Sequence, residues 1–183
     1  MVYVFLADGF EEAEAIVPID YMRRAGIEVT TVGVGTSMPK SSHGITVMAD
    51  ISEDMFYPSD DIEAVFFPGG GLGVENLSKS ETVRRAARLG FGESDGMIVA
   101  AICAAPSILA KEGLLKGKKA TCFPDFIDAL GESYSDADVV IDMPYITGRS
   151  AGVVSGFALK LVELLRGADA ADEVASRICY PAK

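Results

Sequence analysis

Short, mostly apolar runs recur along the chain and alternate with segments in which apolar residues have helical spacing. Runs of this length and composition are typical of strands buried on both faces of a sheet. Four of them predict the main strands, at Val2–Leu6, Ile27–Val34, Asp61–Phe67 and Met97–Ile102. Weaker patterns predict two short strands, Gly44–Met48 and Lys118–Cys122, and a hairpin formed by Val139–Asp142 and Tyr145–Thr147.

Helices are predicted between these strands. The first begins in the acid-rich segment Asp8–Glu14 and ends at Gly26, with a kink or an interruption expected at Pro18. Further helices are predicted directly after Cys103 and at about Glu81–Leu89, Pro124–Leu130, Val153–Leu165 and Asp169–Ile178. This alternation predicts one α/β domain over residues 1–183, with a doubly wound, mostly parallel sheet and helices on both faces.

Charge and cysteine content exclude several classes of function. The chain carries 16 Lys and Arg against 27 Asp and Glu, a net charge of -11, which would repel nucleic acid and anionic membranes. No apolar run approaches the length of a membrane span, and no basic segment precedes the first run as in a signal peptide. Three cysteines without a CxxC spacing indicate neither a disulfide framework nor a zinc site. We therefore expect a cytoplasmic protein.

A candidate nucleophile lies at the end of the run Met97–Ile102. Cys103 follows the run directly, and Pro106, which is tolerated in a first helical turn, then opens a helical pattern. A strand, a sharp turn and a helix with a thiol at the turn form the geometry of a nucleophile elbow. A helix N-terminus favours negative charge, so the thiol pKa should lie below the usual value of about 8.5. The alternative is a buried structural cysteine.

Two further turns should meet this cysteine at one edge of the sheet. Asp8–Gly9, Gly69–Gly70 and Cys103 each follow a buried strand, and ligands of parallel sheets bind beyond the carboxyl ends of the strands. The glycine-rich segment Pro68–Gly73 permits positive φ and free N–H groups that point at a ligand. It is not a phosphate loop, because no Gly-Lys-Ser/Thr follows.

The segments Asp8–Glu14, Pro68–Gly73 and Ala101–Pro106 together resemble the ThiJ/PfpI superfamily, in particular its DJ-one-like branch, which includes protein deglycases. Met22–Ile27 and Thr147–Ser150 also resemble that branch, so the resemblance covers nearly the whole chain. It implies a flavodoxin-like fold with a reactive cysteine on a strained elbow.

The resemblance also implies roles for particular residues. Glu14 would lie beside the Cys103 thiol, donate a hydrogen bond to the thiolate and move protons. The backbone N–H groups of Gly70 and Ala104 would form an oxyanion site. The alternatives are an exposed first-turn acid for Glu14 and a simple turn glycine for Gly70. The neighbouring acids Glu11 and Glu12 are expected to be solvated.

The chain departs from the family in its histidine. Members often carry a histidine directly after the cysteine or in the segment that here reads Phe123-Pro124, but Ala104 follows Cys103. The single histidine, His43, matches a position where the branch often has arginine, near the cysteine pocket across a dimer. The alternative is an exposed loop histidine. A Cys-His-acid triad is therefore not expected.

The remaining expectations concern the pocket and the assembly. The resemblance implies a homodimer that packs through the first helix. Gly69, Arg24 and Arg149 would then line a positive, anion-accepting pocket, although each arginine could equally form only a surface ion pair. Cys122 and Cys179 lie outside any elbow and are expected to be structural.

Two functions remain open at this point. In the first, Cys103 attacks a small aldehyde such as methylglyoxal, or its glycated adduct on an amine or thiol. This is glyoxalase III or deglycase-type chemistry, and it requires no metal and no organic cofactor. In the second, the protein is an oxidative-stress sensor or chaperone whose Cys103 oxidises to a sulfinate. An amide hydrolase or amidotransferase is the weaker alternative, since no imidazole would protonate a leaving nitrogen.

Overall fold

The computed structural model of the protein describes residues 1–59, 61–90 and 96–181. One seven-stranded sheet runs through it in the order β3-β2-β1-β4-β5-β7-β6. Every neighbouring pair is parallel except β6 and β7, which form an antiparallel hairpin. The strands are β1 (Val2–Ala7), β2 (Val29–Val34), β3 (Ile51–Ser52), β4 (Ala64–Phe67), β5 (Ile98–Ile102), β6 (Val139–Asp142) and β7 (Tyr145–Gly148).

Helices cover both faces of the sheet. They are α1 (Glu12–Arg24), α2 (Gly71–Lys79), α3 (Glu81–Arg88), α4 (Pro106–Lys111), α5 (Ile127–Leu130), α6 (Val154–Arg166) and α7 (Ala168–Arg177). Short 3-10 turns lie at Glu53–Met55, Pro124–Phe126, Gly131–Ser133 and Ala151–Val153. Within the described residues, no helix is both long and apolar enough to cross a membrane.

The alternation of side chains along the strands divides the core into two layers. In β4, Val65 and Phe67 face a layer that α2, α3 and α4 complete, whereas Phe66 faces a layer that α1, α6 and α7 complete. The strands are therefore buried on both faces, which explains why their sequences are continuous apolar runs. The predicted fold class, a doubly wound and mostly parallel α/β sheet, is confirmed.

Two predicted strands are wrong. Gly44–Met48 forms only an isolated bridge between Lys40 and Thr46, because this segment pairs with the preceding loop rather than with the sheet. Lys118–Cys122 likewise forms a single bridge, from Ala120 to Tyr134. The two-residue strand β3 and the helix α2 were not predicted.

Candidate active site

The predicted elbow is present at the end of β5. Cys103 has φ 64, a left-handed conformation that is uncommon for a non-glycine residue. Its N–H donates to the carbonyl of Gly148 at 2.9 Å, and its carbonyl accepts from the N–H of Phe123 at 2.9 Å. Pro106 opens α4 three residues later. These contacts hold the backbone of Cys103 in its strained conformation, and strain of this kind clusters at functional sites. The Cys103 side chain is partly exposed.

Glu14 is the acid that faces this thiol. It lies in the first turn of α1, where its N–H donates to the Glu11 carboxylate at 2.6 Å. Glu14 is only 1% exposed. The N–H groups of Gly69 and Ala151 point toward its carboxyl group. Nevertheless, the Oε2 atom is buried and has no well-aligned partner among the described residues. A protonated carboxyl is therefore favoured here.

Gly69 lies between the acid and the nucleophile. A Cβ atom at this position would overlap both the Glu14 Oε2 atom and the Cys103 Cβ atom. The Gly69 carbonyl also accepts a hydrogen bond from the N–H of Glu11 at 2.9 Å, which ties the β4 loop to the start of α1. A glycine is required at this position because a Cβ atom would occupy the space in which the Glu14 and Cys103 side chains meet.

The electrostatics of the pair differ from the sequence expectation. Burial raises the pKa of Glu14 from 4.5 to about 7. Burial and the adjacent Glu14 carboxyl raise the pKa of Cys103 from 9.0 to about 12, although hydrogen bonds from the N–H groups of Gly70 and Ala104 oppose the shift. The expected low thiol pKa is therefore wrong while Glu14 is ionised. A short helix that begins at Pro106 cannot outweigh burial beside a carboxylate.

The two raised pKa values describe one coupled system. Because the charge on Glu14 is one cause of the raised Cys103 pKa, a thiolate is favoured only while Glu14 holds a proton. A carboxylate with a pKa near 7 is well suited to accept the thiol proton as the sulfur attacks a substrate. The pair can therefore supply a nucleophile at neutral pH without a free thiolate.

The structure does not gather the two predicted arginines around this pair within one chain. Arg24 lies at the far end of α1, about 15 Å along the helix axis from Glu14, and pairs with Asp20 at 2.8 Å. Arg149 pairs with Asp136 and Asp138. The surface ion pairs named as the alternative are thus the contacts observed, and a role of either arginine across a dimer stays a prediction.

The other cysteines differ from Cys103 in their surroundings. Cys122 is buried, and burial raises its pKa to about 11. Cys179 is exposed and also has a positive φ, of 54, directly after the end of α7. Neither lies between a strand and a helix as Cys103 does.

Two neighbouring acids have contacts that were missed in the sequence. Glu11 caps α1 and Glu12 bonds to His43, with 2.9 Å between Glu12 Oε1 and His43 Nδ1. The expectation that both acids are solvated is wrong, since both side chains are half-buried. His43 itself has a side chain that is 74% exposed, in agreement with the alternative of an exposed loop histidine. The acidic first turn of α1 was the available signal for Glu11.

Comparisons with known proteins identify the family of this chain. The model of the DJ-1/PfpI family matches residues 1–164, and the chain therefore belongs to the DJ-1/PfpI family. The Parkinson disease protein 7 homolog of Danio rerio is 38% identical over 176 residues, which cover 93% of this chain and 92% of the relative. A deglycase of Thermococcus kodakarensis is 33% identical over 168 residues, covering 90% of this chain and 99% of the relative.

A solved structure gives the same result for the fold. The crystal structure of DJ-1beta from Drosophila melanogaster superposes with a TM-score of 0.91 at 38% identity, and the match covers 99% of this chain and 98% of that one. The family resemblance inferred from the three sequence segments is thus confirmed.

Proposed function

We propose that this protein removes small reactive carbonyls or their adducts, with Cys103 as nucleophile and Glu14 as proton-transfer group. The observation that carries the proposal is the pairing of a partly exposed thiol on a strained turn with a buried carboxyl whose pKa is about 7. Relatives named deglycases, from Thermococcus kodakarensis and Pyrococcus abyssi, support the choice of substrate class.

With methylglyoxal, the chemistry begins when the Cys103 sulfur attacks the aldehyde carbon. Glu14 accepts the thiol proton during this step, and a hemithioacetal forms. The N–H groups of Gly70 and Ala104, which face the sulfur, would stabilise the developing oxyanion.

A proton shift through Glu14 then converts the hemithioacetal to a thioester. Water hydrolyses the thioester to lactate and restores the thiol. The overall reaction adds one water to methylglyoxal, so it needs no external oxidant or reductant. With a glycated adduct, the same attack would be followed by release of the amine.

Methylglyoxal turnover by three variants tests the proposal. Cys103→Ser should abolish lactate formation, since a serine hydroxyl is a much weaker nucleophile in this setting. Glu14→Gln should reduce turnover by about a hundredfold to ten-thousandfold, the usual contribution of a positioned acid–base group. Cys179→Ser is the matched control, because this cysteine is exposed and outside the elbow, and it should retain full turnover. Equal rates for wild type and Cys103→Ser would exclude the enzyme.

An oxidative-stress sensor is the second candidate, and the surroundings of the sulfur favour it specifically. A sulfinate on Cys103 would accept hydrogen bonds from the N–H groups of Gly70 and Ala104 and from a protonated Glu14. The similar Toxoplasma gondii structure is described as an oxidised DJ-1. Mild peroxide followed by peptide mass analysis should then add two oxygens to Cys103 before Cys122 or Cys179. A protein that oxidises in this way but leaves methylglyoxal unchanged would be a sensor rather than an enzyme.

Amide hydrolysis is the weakest candidate. A cysteine amidase needs an acid that protonates the leaving nitrogen. The only histidine of the chain is engaged with Glu12 rather than with Cys103, which disfavours this function.

A further inference from the structure

A second cluster of chemically active side chains lies on the outer side of the first loop. The loop around residues 40–44 folds onto the turn that precedes α1, where Ser42 N donates to Phe10 O at 2.8 Å and Ser42 Oγ donates to Gly9 O at 2.9 Å. This fold-back brings His43 to the start of α1. One ligand atom each from Glu11, Glu12 and His43 then lie within 4.8 Å of one another.

The two acids are held in place and retain free oxygen atoms. Glu11 is fixed because its Oε2 atom accepts the N–H of Glu14 at 2.6 Å. Glu12 has a side chain only 18% exposed, and its Oε2 atom is buried without a well-aligned hydrogen bond among the described residues, although the Ser41 hydroxyl lies near the carboxyl group. A buried carboxylate oxygen that lacks a partner is costly unless a cation or a donor satisfies it.

We propose that Glu11, Glu12 and His43 bind one divalent transition-metal ion, with Zn²⁺ as the best match. One imidazole and two carboxylates suit Zn²⁺, which takes nitrogen and oxygen ligands at about 2.0–2.2 Å in tetrahedral sites. Ca²⁺ fits poorly because it needs six to eight oxygen ligands. The fourth position would hold water. This departs from the sequence expectation of a protein without a metal.

Binding requires only a small rearrangement. In a tetrahedral site, neighbouring ligand atoms lie roughly 3.5 Å apart, closer than the present outer limit of the cluster. The exposed His43 ring can exchange its hydrogen bond with Glu12 for a bond to the ion. Glu11, which is the N-cap of α1, and the half-buried Glu12 can stay in place. The site is therefore partly preorganised and does not depend on the Cys103 thiol.

Calorimetric titration of the full chain with Zn²⁺ tests this site. The wild type should bind one ion per chain, and His43→Ala and Glu12→Gln should each weaken binding by at least about tenfold. Cys103→Ser should bind like the wild type, as should the control Glu132→Gln, which removes an exposed acid elsewhere. With Co²⁺ as the probe, the spectrum should contain ligand-field bands but no thiolate charge-transfer band.

Three outcomes would overturn the proposal. They are a wild type without saturable Zn²⁺ binding, binding that His43→Ala leaves unchanged, and binding that Cys103→Ser abolishes. The last would place the ion on the thiol. Because Cys103→Ser also abolishes the proposed turnover but should spare the metal, failure of one hypothesis is distinguishable from failure of the other.

Discussion

Glu14 is buried beside a partly exposed Cys103, and the two groups can be protonated only in a coupled way. Burial raises both pKa values, and the charge on Glu14 raises the pKa of Cys103 further, whereas the hydrogen bond with Cys103 lowers the pKa of Glu14. The pair therefore loses its first proton near pH 7 and its second only near pH 12, and these steps belong to the pair rather than to either residue. Above pH 7 the pair therefore retains one proton.

This coupling predicts the pH profile of Cys103 alkylation. Iodoacetamide should react faster as the pH rises through about 7, since the singly protonated pair contains the nucleophilic form. Glu14→Gln should remove this midpoint because the amide cannot accept the thiol proton. Rates measured by peptide mass analysis from about pH 5 to about pH 9, roughly two units on each side of neutrality, would test this. A wild-type midpoint equal to that of exposed Cys179 would contradict the coupling.

The same burial predicts how Glu14→Gln changes stability. The folded-state pKa of Glu14 is raised from 4.5 to about 7. The contribution of Glu14 to the free energy of unfolding is therefore fully present below pH 4.5 and is lost as the pH rises through 7. Glutamine does not ionise and escapes that loss. The variant should therefore gain up to about 3 kcal/mol over the wild type above pH 7 and little below pH 5.

Urea unfolding on either side of this range measures the difference. Glu75→Gln is a suitable control, since Glu75 is exposed and pairs with Lys79 on the same helix. It should lack the gain at high pH. A Glu14→Gln variant less stable than the wild type above pH 7 would mean that the carboxylate is stabilised by contacts that outweigh its burial.

At the scale of residues, the apolar run before Cys103 was sufficient to predict the elbow. The pairing of its thiol with Glu14 came from the family resemblance, and neither source predicted the protonation of the two groups. The raised pKa values could not be predicted, because they arise from burial in the folded site, and the N–H groups of Gly69 and Ala151 that oppose the shift of Glu14 come from distant parts of the chain.

Among the elements, α2 was the main one that sequence patterns missed. It begins Gly71-Leu72-Gly73, and glycine is a poor helix former. The helix forms because Val74 and Leu77 pack into the core and because Gly73 N donates to Gly9 O at 3.1 Å. Conversely, the apolar pattern of Gly44–Met48 lacks a partner strand in the sheet. In both cases, tertiary contacts decided the structure against local preference.

The two glycines of α2 predict opposite effects of the same substitution. A Cβ atom at Gly71 meets nothing within 4 Å, whereas one at Gly73 would lie 2.7 Å from Phe10 N and 2.8 Å from Gly9 O. Gly71→Ala should therefore stabilise the protein by about 0.5–1 kcal/mol, as expected for a better helix former. Gly73→Ala should destabilise it by about 1–3 kcal/mol, because backbone must move.

Denaturant unfolding of the two variants at one pH provides the comparison, and each variant is the control for the other. The contact between α2 and the turn at Gly9 also positions the loop between β1 and α1, the helix that carries Glu14. Gly73→Ala should therefore slow methylglyoxal turnover as well. Equal stability of the two variants would indicate that α2 does not pack closely against that turn.

In the whole molecule, strand order is what assembles the site. The strands β1, β4 and β5 are neighbours at the centre of the sheet and run parallel, so the segments after their carboxyl ends meet. Those segments carry Glu14, Gly69 and Cys103. The sequence predicted this convergence from three buried strands that each end in a distinctive turn, and the central parallel order confirms it.

The family resemblance further predicts a homodimer that packs through α1. One face of this helix is buried against the sheet through Ala15, Ile19 and Met22, while Ile16 points outward and is 42% exposed. Light scattering at micromolar concentration should report twice the chain mass of 19.3 kDa. Ile16→Glu should return the chain to its monomer mass, because an unpaired charge would be buried at the interface.

Ile141→Glu is the matched control for that experiment. Ile141 lies on the edge strand β6 and is 43% exposed, nearly the same as Ile16, but it is far from α1 in the order of the sheet. This variant should remain dimeric and should unfold at a similar denaturant concentration. Dissociation by Ile141→Glu but not by Ile16→Glu would move the interface to the hairpin edge. A wild type at 19.3 kDa would exclude the dimer, and with it any contribution of Arg24 from a second chain to the pocket around Cys103.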